Sequence, residues 1–313
     1  MRKPEGKTVD DIVVRVLSEL VPGGVRRGEL RRSDRTLRWV EAGNAGPTVV
    51  FDAGLAEPGS LAWAGVLPAV AAQARVIAYD RAGVGASDQA LPLSVDGEIA
   101  DLSALLTEAG DGRCVLVGHS WGGLLAQLVA FSHPDLVAGL VLVDPAHEET
   151  MAAVPWPLQL ALSAPGNAAL LLHSVGLLGH VVRSTYRPFA RRLTEDPQLQ
   201  ILILDAYASS FVQRTQVRML RDENRLGSKS IPLIRQIRAA SSLPDVPVVV
   251  FSATKGLPKG MRGRWTKLQA DLVETAARGE HIIAADTGHA IHQERPEQVA
   301  NAVIHLVEHV RLR

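Results

Sequence analysis

The sequence predicts an α/β chain: a mostly parallel central sheet with helices on both faces, plus an inserted helical cap. Three observations predict it. Short Val/Ile/Leu-rich runs without polar alternation recur along the chain, as strands covered on both faces do. Helical patterns separate most of these runs, which calls for right-handed crossovers between parallel strands. One interval, from the run at Leu140–Val143 to the run at Val246–Phe251, holds about one hundred residues of helical pattern, far more than one crossover needs.

The elements follow in order. Residues 8–21 read as an amphipathic helix, with Ile12, Val13, Val16, Leu17 and Leu20 on one side. Residues 28–42 suggest two short strands around Ser33-Asp34-Arg35, a hairpin. The apolar runs are Thr48–Phe51, Arg75–Tyr79, Cys114–Val117, Leu140–Val143, Val246–Phe251 and His281–Ala285. Helical patterns cover Leu61–Ala72, Val95–Ala109, Ser120–His133, Leu268–Ala277 and Pro296–Val310. The expected organisation is an N-terminal extension at 1–27, a core at 28–145 and 246–313, and a cap at 146–245. The Gly- and Arg-rich segment 255–264 reads as a mobile loop.

Composition narrows the function. The 313 residues are 47% hydrophobic and 21% charged, which excludes a disordered chain. Lys+Arg and Asp+Glu are 33 each, so no basic excess points to nucleic acid. The single cysteine, Cys114, excludes an internal disulfide or a Cys-cluster zinc site. It fits a reducing compartment, and the cytoplasm is the expected location. Asp10, Asp11 and Glu19 interrupt the apolar stretch that a signal peptide would need. The uncharged stretch Pro157–Val182 is long enough to span a bilayer, but Pro165, Gly166, Asn167, Gly176 and Gly179 break it. Two apolar helices over a pocket are the expectation, with a membrane-touching lid the lesser reading.

Residues 114–123 read Cys-Val-Leu-Val-Gly-His-Ser-Trp-Gly-Gly. An apolar strand runs into Gly118-x-Ser120-x-Gly122 and a helix leaves it, the geometry of a nucleophile elbow. The two glycines permit a tight turn, and Ser120 is lifted to the start of a helix. The other reading is a serine that merely caps the helix.

Gly-His-Ser-Trp-Gly-Gly after a strand resembles the α/β-hydrolase superfamily, in its serine-nucleophile branch. So do Tyr79–Ser87 (Tyr-Asp-Arg-Ala-Gly-Val-Gly-Ala-Ser) and Gly288-His289 followed by Glu294-Arg295-Pro296. The resemblance covers most of 35–145 and 246–313 and says little about the cap. It implies an α/β-hydrolase fold, and it makes His289 the base that Ser120 needs. His289 follows the last apolar run, where loops at strand ends converge. Of the other histidines, His119 reads as core packing and His292 as a local structural partner. His305 and His309 lie i,i+4 on a solvated or packed helix face.

The third member must orient the imidazole. Many superfamily members carry this carboxylate after the strand that follows the cap. Here that strand ends Ser252-Ala253-Thr254-Lys255-Gly256, with no acid. Another superfamily arrangement puts it after the preceding strand, where Asp144 stands. Asp144 is the expected acid, with Glu148, Glu149 and Asp271 as alternatives. Acyl transfer also needs two backbone N–H donors for an oxyanion. Trp121 gives one and the Asp52–Ala56 loop the other, through Leu55 or its neighbour Ala56. Many members have His-Gly in that loop; this chain has Ala53-Gly54. Asp80-Arg81 with Gly83, Gly85 and Ser87 reads as a tight loop braced by an Asp–Arg network, since neither phosphate-loop pattern is complete.

The cap supplies Leu158, Leu160, Leu162, Leu170, Leu171, Leu172, Val175, Leu177 and Leu178. If one face looks down on Ser120, the pocket is apolar and suits a small hydrophobic acyl substrate. The expected enzyme is a carboxylesterase-like serine hydrolase that needs no cofactor and no metal. A serine at the elbow argues against the dehalogenase and epoxide hydrolase branches, which use an aspartate there. Two rivals are other chemistry on the same residues (C–C, lactone or thioester hydrolysis, perhydrolysis) and a ligand-binding protein with negligible turnover.

Overall fold

A computed structural model describes residues 8–90, 92–152 and 168–311. Its centre is an eight-stranded sheet: β1 (Arg26–Arg31), β2 (Thr36–Ala42), β3 (Thr48–Asp52), β4 (Arg75–Asp80), β5 (Cys114–His119), β6 (Val137–Val143), β7 (Pro247–Ala253) and β8 (Arg278–Ala284). The order is β1-β2-β4-β3-β5-β6-β7-β8. β1 and β2 form the expected hairpin, and β2 pairs antiparallel with β4. All remaining pairs are parallel.

Successive strand residues point to opposite faces. Val115 and Val117 therefore enter one core while Leu116 enters the other. Strands β3, β5 and β6 are buried along their whole length, which explains their unbroken apolar runs. β8 departs from this: it is an edge strand, and Ile283 is 49% exposed.

The described residues include eleven α-helices: α1 (Val9–Leu20), α2 (Leu67–Ala71), α3 (Val95–Ala109), α4 (Ser120–Ser132), α5 (Glu148–Ala152), α6 (Leu178–Leu193), α7 (Pro197–Phe211), α8 (Arg214–Ala240), α9 (Lys259–Thr275), α10 (Ile291–Glu294) and α11 (Pro296–Arg311). Thr8 starts α1 through a capping box with Asp11, and Val13, Val16 and Leu17 are buried. α5 to α8 lie between β6 and β7, the position of the cap insertion. Among the described residues, no helix is long and apolar enough to cross a membrane.

Three expectations need correction. The single helix expected at Leu61–Ala72 is a 3₁₀ turn at Gly59–Trp63 followed by α2. Pro68, which has no N–H, can only occupy the first turn of a new helix. Segment 255–264 is not a mobile loop throughout: α9 begins at Lys259, earlier than the expected Leu268. Arg262 is held by Asp144, and Trp265 Nε1–H donates to Pro145 O at 2.7 Å. Those tertiary bonds overcome the weak propensity of Gly260 and Gly263. Finally, the described cap leucines do not look down on Ser120. Leu178 is buried and Leu170 and Leu172 pack against the core beside it, while Leu171, Val175 and Leu177 are exposed. Leu158, Leu160 and Leu162 lie outside the described residues.

Candidate active site

Parallel strands deliver their carboxyl ends to one rim, and the three expected residues meet there. Ser120 follows β5, Asp144 follows β6 and His289 follows β8. His289 Nδ1–H donates to Asp144 Oδ2 at 2.6 Å. That leaves Nε2 bare to accept the Ser120 hydroxyl, with 2.9 Å between Nε2 and Oγ.

The elbow is sterically tight. A Cβ on Gly118 would strike the Gly122 carbonyl, and one on Gly122 would strike the Asp52 carbonyl. Four described non-glycine residues have positive φ: Ala56 (62°), Ser120 (50°), Asp144 (42°) and Asp286 (61°). They lie in the Asp52–Ala56 loop, the elbow, the turn after β6 and the loop before His289. Such conformations are costly for L-residues and persist where the surroundings over-determine them.

Asp144 is fully buried. It accepts from Arg262 Nη1 at 2.9 and 3.0 Å, from Gln269 Nε2 at 3.0 Å and from Ala253 N–H at 3.3 Å. Burial pushes its carboxyl up, but the hydrogen bond and charge of His289, with Arg262 and Gln269, hold it down at about 2. His289 is lowered, first by burial and then by the charge of His119, against the Asp144 bond. An imidazole free of its proton is what a base requires. The alternatives for the acid lie elsewhere. Glu148 pairs with Arg238, Glu149 with Arg235 and Asp271 with Lys267.

Leu55 and Trp121 both line the cavity above Ser120. Trp121 is in the first turn of α4, where amides have no intrahelical acceptor. In the Asp52–Ala56 loop, Gly54 N–H donates to Glu57 and Ala56 N–H donates to Glu223. Among the described residues no acceptor takes the Leu55 N–H. The geometry therefore favours Leu55 over Ala56. The loop is also gripped by Arg81, which bonds Asp52, the Ala53 and Gly54 carbonyls and Glu223. Asp80 does not pair with Arg81 as the Asp–Arg reading implied. It accepts from Ser60 and Ala86 N–H, and the Asp–Arg pair that braces the glycine turn is Asp88 with Arg38, which also bonds the Ala86 carbonyl.

The cavity holds about 550 Å³. Its apolar wall comes from Leu55, Trp121, Met151, Leu257, Met261 and Trp265. Thus α5 and the start of α9 supply the hydrophobic surface that the cap leucines were expected to give. Arg262, Gln269, Glu57, Glu223 and Trp265 were missed by sequence reasoning. Arg262, Glu57 and Glu223 offered only their charge, and Gln269 and Trp265 only their residue type, in otherwise ordinary helical or loop segments. His119 is also not simple core packing, since both of its ring nitrogens are engaged. His292 is fully buried beside Glu57, as a structural partner would be. His305 and His309 are exposed, and His309 Nδ1–H donates to the His305 carbonyl.

The model of the alpha/beta hydrolase family matches residues 49–302. The chain belongs to the α/β-hydrolase family. This α/β-hydrolase is similar to Lipase LipV of Mycobacterium tuberculosis, 48% identical over 71 residues, 23% of this chain and 27% of that protein. It is similar to Epoxide hydrolase 4 of Mus musculus, 37% identical over 76 residues, 23% of this chain and 21% of that protein. The chain thus spans about a quarter of the length of these two curated relatives. The crystal structure of Cfl2 from Burkholderia cenocepacia aligns with TM-score 0.69 and 26% identity, covering 90% of this chain and 95% of that one.

Proposed function

We propose that this α/β-hydrolase is a serine hydrolase that cleaves an ester or related acyl bond of a small hydrophobic substrate. One observation carries the reading: Ser120 Oγ, His289 and Asp144 form a continuous hydrogen-bonded chain at the floor of an apolar cavity. Ser120 Oγ attacks the carbonyl carbon as His289 Nε2 takes the hydroxyl proton. Asp144 holds the imidazolium in place and stabilises its charge. The amides of Leu55 and Trp121 receive the oxyanion. His289 then returns the proton to the leaving alcohol as the C–O bond breaks. Water, deprotonated by the same nitrogen, releases the acid and restores Ser120. The helices of 146–245 act as the cap over this site, and the expected setting is the cytoplasm.

The test is hydrolysis of p-nitrophenyl esters with acyl chains from about two to twelve carbons. Wild type and Ser120→Ala are compared. Turnover by wild type that falls at least about a thousandfold in Ser120→Ala supports the reading. Wild type that is folded, inert to the esters and not labelled at Ser120 by a fluorophosphonate would defeat it.

A further inference from the structure

Beneath the reacting residues lies a second buried cluster: Glu57, His119 and His292. His119 Nδ1 is 3.0 Å from Glu57 Oε2, and Nε2 is 2.9 Å from the carbonyl oxygen of His289. Glu57 Oε2 also accepts Gly54 N–H at 2.5 Å, and Oε1 is 3.3 Å from His292 Nε2. The His119 ring packs 4.4 Å from that of His292 and 4.6 Å from that of His289.

Both partners of His119 are acceptors. A peptide carbonyl has no proton to give. Glu57 faces a donor at each oxygen, Gly54 N–H at Oε2 and His292 Nε2 at Oε1, the pattern of an ionised carboxylate, and its proton affinity is held down despite burial. A neutral imidazole carries one N–H and would leave one of these contacts without a donor. We infer that His119 is a resident imidazolium, a positioning residue whose two N–H groups tie the oxyanion loop, through Glu57, to the loop that carries His289. His119 thus spans three segments of the site, because it also precedes Ser120 at the elbow.

The electrostatics agree. Burial opposes a charge on His119, yet the Glu57 charge and hydrogen bond, the His289 carbonyl and Asp144 together raise its affinity for a proton. The titratable groups facing it are Glu57, His292, His289 and Asp144. Its positive charge in turn disfavours protonation of resting His289. The ligand atoms of Glu57, His119 and His292 lie within 4.8 Å of one another, a spacing a cation could also use. A metal-bound histidine gives its other N–H to an acceptor. Among the described residues His292 Nδ1 has no partner, so a proton fits this cluster better than a metal.

The protonation state of His119 does not depend on the proposed reaction; its effect on turnover does. The experiment is side-chain ¹⁵N–¹H NMR of the full chain between about pH 6 and pH 8. The expected result is one histidine with both ring nitrogens protonated throughout, converted to a one-proton ring in Glu57→Gln. The acidic limb of the kcat/KM profile in Glu57→Gln should also move up by about half a pH unit or more, with kcat falling about tenfold and KM changing less than about twofold. No doubly protonated ring in wild type would overturn the proposal, whether or not the variant folds. So would a stoichiometric metal in wild type that Glu57→Gln loses. Wild type inert to esters but showing the doubly protonated ring would sink the hydrolase reading and leave this one standing.

Discussion

Arg262 places one guanidinium nitrogen within 3.0 Å of both carboxylate oxygens of Asp144, the same carboxylate that orients His289. Both side chains are buried, and Arg262 stacks 5.1 Å from the Trp265 ring in the cavity wall. Breaking a buried ion pair from one side costs about 3 kcal/mol or more. Arg262→Gln should therefore unfold at lower denaturant concentration. It should also leave the Asp144 charge to act on His289 alone, moving the acidic limb of kcat/KM upward. A stability loss with an unmoved pH profile would limit Arg262 to holding the fold.

Asp144 also sets an acid stability window. Its carboxyl is held at about 2 in the fold against an ordinary 3.8. A depressed carboxylate contributes its stability above the unfolded value and loses it as pH falls through the folded one. The contribution is about 2 kcal/mol. Denaturant unfolding of wild type should weaken between about pH 4 and pH 2, and Asp144→Asn should lack that component.

Glu98 works in the opposite sense. Burial raises its carboxyl to about 7, against the charge of Arg81 and the Trp121 Nε1–H bond of 2.8 Å. The unfolded chain releases this proton first, so stability falls as pH rises from about 4.5 to about 7, by roughly 3 kcal/mol. Glu98→Gln can still accept the Trp121 N–H. It should unfold with a flatter pH dependence over that window and be the more stable protein at its upper end.

The Asp52–Ala56 loop should depend on a residue of α8. Glu223, on α8, accepts the Ala56 N–H at 2.9 Å and pairs with Arg81 at 3.1 Å. Glu223→Ala frees both. With the Leu55 amide no longer aimed, kcat for an ester should fall about tenfold or more while KM changes little. An equal fall in binding and turnover would indicate general loosening of the cap instead.

On the proposed ester chemistry, the cavity wall should set the preferred acyl length. Leu257 sits on the loop before α9 and lines the 550 Å³ space. Leu257→Trp should shorten the preferred acyl chain by about two carbons without loss of Ser120 labelling. A series of p-nitrophenyl esters reads this directly.

Much of this was legible in the sequence, for local reasons. Unbroken apolar runs mark strands buried on both faces, and the strand–Gly–x–Ser–x–Gly–helix order marks the elbow. The family resemblance pointed to Asp144 and His289, and each follows such a run, where strand ends converge. What was not legible depends on long-range closure. Glu57 and His119 are 62 residues apart, Asp144 and Arg262 are 118 apart, and Ala56 and Glu223 are 167 apart. No periodicity links such pairs. Gly260 and Gly263 also hid the start of α9, and with it Arg262. The chain by itself determined the strands, the elbow and the strand-end positions of Asp144 and His289, because each rests on pattern within one segment. Only the tertiary structure decided the charge and hydrogen-bond partners that hold them, because those are set by what the folded chain buries together.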